Sequence, residues 1–166
     1  MKLKLKAVLA SIFFIPAVVH ADDWPQKFID SIDVKEAAFC AVLKSYSKQI
    51  KDAQASKNQI RVRRVHKKQL TDIEALMPTG VFQDWIIMVQ SIKVDGSMNA
   101  TLEATLPCHK TIIGQKIPET NETAYEQLAD VGKGEYVLVS GKLNFDPYNK
   151  TPQKFSAVFS SIVGLN

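Results

Sequence analysis

The chain has 166 residues, 46% of them hydrophobic, with 21 basic and 17 acidic side chains and two cysteines. That composition is globular throughout, with no internal repeat or low-complexity tract, and its length suits one domain of ordinary size able to bury a real core. The sequence pI of about 9.0 does not argue for general nucleic-acid affinity, because much of the excess positive charge lies at the extreme N-terminus.

Lys2, Lys4 and Lys6 form a basic start, Ala7 to Val19 an apolar stretch broken by Pro16, and Val19-His20-Ala21 a small-residue cleavage site. This reads as a secretory signal peptide over residues 1–21, cut after Ala21. The apolar run is too short for the roughly 20 residues that span a bilayer. The expected mature protein, Asp22 to Asn166, is therefore soluble, not membrane-spanning, and periplasmic or secreted. Its balance is 18 basic against 17 acidic residues. The remaining charge is unevenly placed: Lys57, Arg61, Arg63, Arg64, Lys67 and Lys68 put six cations and no acid into twelve residues.

Residues 22–33, with Trp24-Pro25, form a polar and loosely held lead-in. From Val34 the spacing of Phe39, Leu43, Tyr46 and Ile50 predicts a helix with one apolar stripe, widened by Val42. Asp33 is its expected N-cap, and Glu36 three residues on suggests a capping-box-like start. Ala53 to Asn58 either continues or kinks this helix. Ile60 to Met77 is helical again, with Lys57, Arg61, Arg64 and Lys68 on one face and Leu70, Ile73, Leu76 and Met77 on an apolar edge. Pro78, Thr79 and Gly80 stop it.

After Gly80 the period changes from 3.6 to 2. Val81 to Val94 predicts a strand, and its centre, Trp85 to Val89, is apolar on both faces, as in a strand that meets water on neither. Asp95-Gly96-Ser97 is a hairpin signal. A second strand has Met98, Ala100, Leu102, Ala104 and Leu106 inward and Asn99, Thr101, Glu103 and Thr105 outward. Pro107 ends it. A third strand, Cys108 to Ile113, is followed by a short helix to Asp130 capped by Asn121 or Thr120. A fourth, Glu135 to Phe145, contains Gly141, which suits a bulge. The loop Asp146 to Lys154 leads to a last strand, Phe155 to Val163.

These patterns predict an α+β, mainly β fold: a five-stranded OB-fold-like barrel in the order β-β-β-α-β-β over residues 81–166, preceded by one or two N-terminal α-helices within a helical extension, 22–80. Trp85, the run Tyr125 to Gly132 and the string Gly134-Glu-Tyr-Val-Leu-Val-Ser140-Gly141 resemble the tRNA-anticodon-binding-like group of OB-fold domains in bacterial envelope proteins. Ile86, Ile87 and Met88 depart from the glycine that this group usually has after the tryptophan. The resemblance spans about half the chain and implies fold more than function.

Cys40 and Cys108 in an exported chain predict a disulfide. The loop it closes corresponds to about 4 kcal/mol in the chain-entropy treatment. Metal binding is the poorer alternative, since only His66 and His109 accompany the cysteines and a zinc site wants four ligands. No metal or other cofactor is expected. Cys108 and His109 are no catalytic pair, because neighbouring strand residues face opposite ways.

No nucleophile elbow, zinc-protease helix or phosphate-cradling glycine loop is present, and a hydrolase would have to be built from convergent acids such as Asp84, Glu103 and Glu135. The expected function is a non-catalytic binding protein of the bacterial envelope whose partner is a protein, a glycan or an anionic surface group. Its candidate binding residues are Lys57, Arg61, Arg64 and Lys68. The alternative, a nucleic-acid-binding module, is disfavoured because the outward face of the second strand offers no aromatic platform.

Overall fold

The computed structural model describes residues 24–108, 111–114, 117, 120–144 and 154–165. The expected signal peptide, His109 and residues 146–153 of the expected loop lie outside the described residues. Among the described residues nine elements follow one another: α1 (Gln26–Ile29), α2 (Val34–Ala55), α3 (Gln59–Leu76), β1 (Val81–Val94), β2 (Ala100–Thr105), β3 (Thr111–Gly114), α4 (Glu122–Ala129), β4 (Tyr136–Asn144) and β5 (Lys154–Gly164).

The expectation of a mainly β chain, an OB-fold-like barrel behind one or two helices, is corrected. Among the described residues, more lie in the four helices than in the strands, and three helices precede the sheet, so the fold is mixed α+β. The body of the sheet is a curved antiparallel run of four strands, β2-β1-β4-β5. The four-residue β3 spans its two edges, antiparallel to β2 and parallel to β5. Hydrogen-bonded neighbours thus run β1-β2-β3-β5-β4 and back to β1. The excess of helix has a simple cause: α2 and α3 form an antiparallel hairpin whose first helix joins the same core as the sheet.

β1 is long because it serves two partners in succession. Residues Val81 to Met88 pair with β4, and Met88 to Val94 pair with β2. Trp85 is fully buried, its ring centroid 5.0 Å from that of Phe39 in α2 and 4.8 Å from that of Phe82. Ile86, of opposite parity, packs on the outer side against Trp24 and Phe28. The stretch expected to be loosely held therefore forms α1 and a second small apolar cluster with Tyr136 and Leu138.

Around the sheet the inward set is Ala100, Leu102, Ala104 and Leu106, all buried. Met98 does not join it: it lies before β2 with φ of 59° and is 49% exposed. The reason is the turn. The Asp95 carboxylate accepts from the backbone N–H groups of Ser97 and Asn99, which lengthens the hairpin loop and pushes Met98 out of register. Cys108, the expected start of the third strand, lies in a turn instead, and the described part of that strand is Thr111–Gly114. At Gly141 a bulge interrupts the β4–β5 ladder, and a Cβ there would collide with the Val158 carbonyl oxygen.

Cys40 and Cys108 form a disulfide with a Cα–Cα distance of 5.4 Å, tying α2 to the β2–β3 connection. Such a bridge fits an extracytoplasmic compartment. Among the described residues no helix is long and apolar enough to cross a membrane.

Candidate functional site

Two places concentrate unusual chemistry: the tip of the α2–α3 hairpin and the junction of α2 with β1. The hairpin turns at Ser56-Lys57-Asn58, where Lys57 takes a left-handed conformation with φ of 53°. Asn58 then caps α3, its side-chain oxygen accepting from the N–H groups of Ile60 and Arg61, both at 3.1 Å. Lys57 therefore sits in the turn, not on the face of α3 where the spacing placed it. Arg61, Arg64 and Lys68 do lie on α3 and are exposed.

Between the two helices at this tip lies a cleft of 460 Å³ lined by Gln49 and Asp52 of α2, Asn58, and Ile60, Arg61, Arg64 and Val65 of α3. Two of the four candidate residues, Arg61 and Arg64, are thus brought together at one opening, while Lys57 and Lys68 are not part of its lining. Asp52 and Gln49 are contributions that sequence reasoning missed, because they belong to a different helix. The α2–α3 packing that makes the cleft is held farther down by the Tyr46 hydroxyl, which donates to the Asp72 carboxylate. That bond, with burial and the Asp72 charge adding to it, pushes the Tyr46 hydroxyl up to about 12.

At the other place, Glu36 was expected to complete a capping box, and it does not. Asp33 alone caps α2, accepting from the Lys35 N–H. Glu36 is fully buried, and one of its carboxyl oxygens accepts from the backbone N–H of Ile86 at 3.1 Å. The geometry of β1 explains why that donor is free. Val89 donates to the Glu135 carbonyl across the β4 side, and strand N–H groups alternate sides, so the Ile86 N–H faces away from β4. On that side β2 pairs only from Met88 onward. The carboxyl of Glu36 takes the place of a missing strand partner. Burial pushes its pKa up to about 8, the Ile86 N–H opposing the rise and the nearby Asp33 charge adding to it, so the group is largely neutral at pH 7.

The acids Asp84, Glu103 and Glu135 are not brought together. Asp84 sits at the β1 bulge with φ of 53°, its N–H donating to the Ser140 hydroxyl. Glu135 accepts from the Gly132 N–H before the start of β4, five residues or roughly 17 Å along the strand from Ser140. Glu103 lies on β2 opposite Ser91. The outward side of β2 carries Thr101, Glu103 and Thr105, all half-buried. Among the described residues no group of three or more His, Cys, Asp or Glu side chains could hold a metal ion. His66 is half-buried on α3, and desolvation lowers its pKa.

No family model, no curated protein and no solved structure matches this chain. The likeness of Trp85, Tyr125 to Gly132 and Gly134 to Gly141 to envelope OB-fold domains thus has no support outside those short strings.

Proposed function

We propose that this is an exported, non-catalytic binding protein of the bacterial envelope that engages an anionic partner through the hairpin tip and the exposed face of α3. The observation that carries the reading is the display of Arg61, Arg64 and Lys68 in a helix that buries only Gln69 and Ile73. Guanidiniums held on a helix present fixed forks suited to carboxylate, sulfate or phosphate groups. Export supplies the compartment, and the Cys40–Cys108 bridge suits that compartment.

Retention on a sulfated polysaccharide resin tests this. The parent protein should elute at a salt concentration well above that of the Arg61→Gln/Arg64→Gln variant, because exposed charge contacts weaken as the screening length shrinks below about 8 Å. Equal retention of the two proteins at low salt would remove α3 from the binding surface.

A further inference from the structure

We infer that the cleft at the hairpin tip is a binding site for a small ligand carrying two acidic groups and one ammonium group, the chemistry of a free dicarboxylic amino acid. This rests on the binding-protein reading above and names the ligand class of its site. The cleft is open to solvent, every lining residue but the half-buried Val65 being exposed, and its volume of 460 Å³ lies toward the lower end of the roughly 300–1,000 Å³ of small-molecule sites. Its charged lining consists of two guanidiniums, Arg61 and Arg64, and one carboxylate, Asp52.

Residues i and i+3 of a helix stand one above the other with an axial rise of about 4.5 Å. Arg61 and Arg64 can therefore each take a separate acidic group of one compact ligand, and each fork can do so with two parallel hydrogen bonds. Asp52 comes from the facing helix. It would repel a ligand that was anionic throughout, and it attracts one that also carries an ammonium group. The three charges together are the complement of a ligand with two acids and one amine.

The uncharged lining agrees. The Asn58 oxygen is committed to the Ile60 and Arg61 N–H groups, which leaves the holding of an anion here mainly to side chains, and the Asn58 amide N–H groups and Gln49 supply further polar contacts. Ile60, 73% exposed, and Val65 offer an apolar wall for a short methylene chain. Cations in the first turns of a helix oppose its dipole, and α3 has no acid in its first turn. A bound dianion offsets that unfavourable arrangement.

Calorimetric titration of the purified protein with L-glutamate, glutarate and L-glutamine tests the assignment. Glutarate lacks the amine and glutamine lacks one acid. The parent should prefer glutamate to each by about tenfold, the effect of losing one charge-assisted contact. Asp52→Asn should erase the preference over glutarate, and Arg61→Gln/Arg64→Gln should lower glutamate affinity, both with unchanged thermal melting. Equal affinity for glutamate and glutarate in the parent, or no heat of binding with millimolar glutamate, overturns the ligand class. If resin retention still depends on Arg61 and Arg64 in that case, the binding-protein reading stands and only the cleft assignment falls.

Discussion

The two helices of the hairpin are of similar length and are put to opposite uses. α2 buries seven of its 22 residues, from Glu36 to Ala53, while α3 buries two of 18. α2 lies against the sheet core through Phe39, Cys40 and Leu43 and closes an open strand edge with Glu36. α3 touches that core mainly near its C-terminal end, at Ile73 and Met77, and leaves its first turns in solvent. A helix that packs on one side against a sheet and on the other against a neighbour has few positions free for binding. The neighbour, supported from one side only, is the one that can display charge. The contrast teaches where substitutions should hurt folding and where they should hurt only recognition.

The contrast would break first at the α2–β1 contact. Trp85→Ala should destabilise the protein by roughly 3–5 kcal/mol, the range for truncating a large buried aromatic, measured by urea denaturation. A loss under 1 kcal/mol would mean that Phe39 and Phe82 do not enclose this ring as the packing has it.

The buried carboxyl sharpens the comparison through pH. Glu36 binds its proton more tightly in the folded state, with a pKa of about 8 against 4.5 for the ordinary group. The folded protein therefore holds more protons between those values, and stability is fully present below about 4.5 and falls as pH rises toward about 8. At about 1.4 kcal/mol per pKa unit, the decline amounts to a few kcal/mol. Glu36→Gln keeps an oxygen for the Ile86 N–H and cannot ionise, so its urea midpoint should vary less over this interval and exceed the parent's at pH 8. A parent curve as flat as the variant's would show the carboxyl to be solvated.

Reducing the Cys40–Cys108 bridge should cost about 2–4 kcal/mol without erasing the sheet signal in far-UV circular dichroism. Two free thiols in denatured, unreduced protein would dispose of the bridge altogether. On the other helix the expected effect is smallest: Arg61→Gln/Arg64→Gln should change stability by no more than about 0.5 kcal/mol, as exposed helix substitutions do. A larger loss would show that the tip of α3 supports the fold after all.

Much of this was readable from local pattern. The Phe39-Leu43-Tyr46-Ile50 stripe is buried along its whole length, since a 3.6-residue period leaves only one face for a core. Trp85 to Val89 reads as enclosed because both parities are apolar, and it is enclosed on one side by the core and on the other, at Ile86, by Trp24 and Phe28. Met98 was misplaced because alternation continues through it, while the Asp95 turn decides where the strand can begin. Glu36 departs from its expected capping role for a related reason: an acid in the first turn suits a helix by itself, and only the β2-facing edge of β1, unpaired before Met88, turns it inward. In the cleft, Arg61 and Arg64 stand out from their charge cluster, whereas Asp52 carries no local signal at all.

Periodicity, turn residues and charge spacing act over a few neighbours, and they suffice to specify the long helices, the enclosed centre of β1, the Cys40–Cys108 pairing and the basic stretch. Which side of each element meets which partner depends on contacts between residues far apart in the chain. The tertiary structure alone decided that α2 completes the open edge of β1 through Glu36, that Lys57 leaves the helix for the turn, and that Asp52 and Gln49 face Arg61 and Arg64. The physical reason is that burial and charge pairing are properties of two surfaces together, and each segment of sequence specifies only one of them.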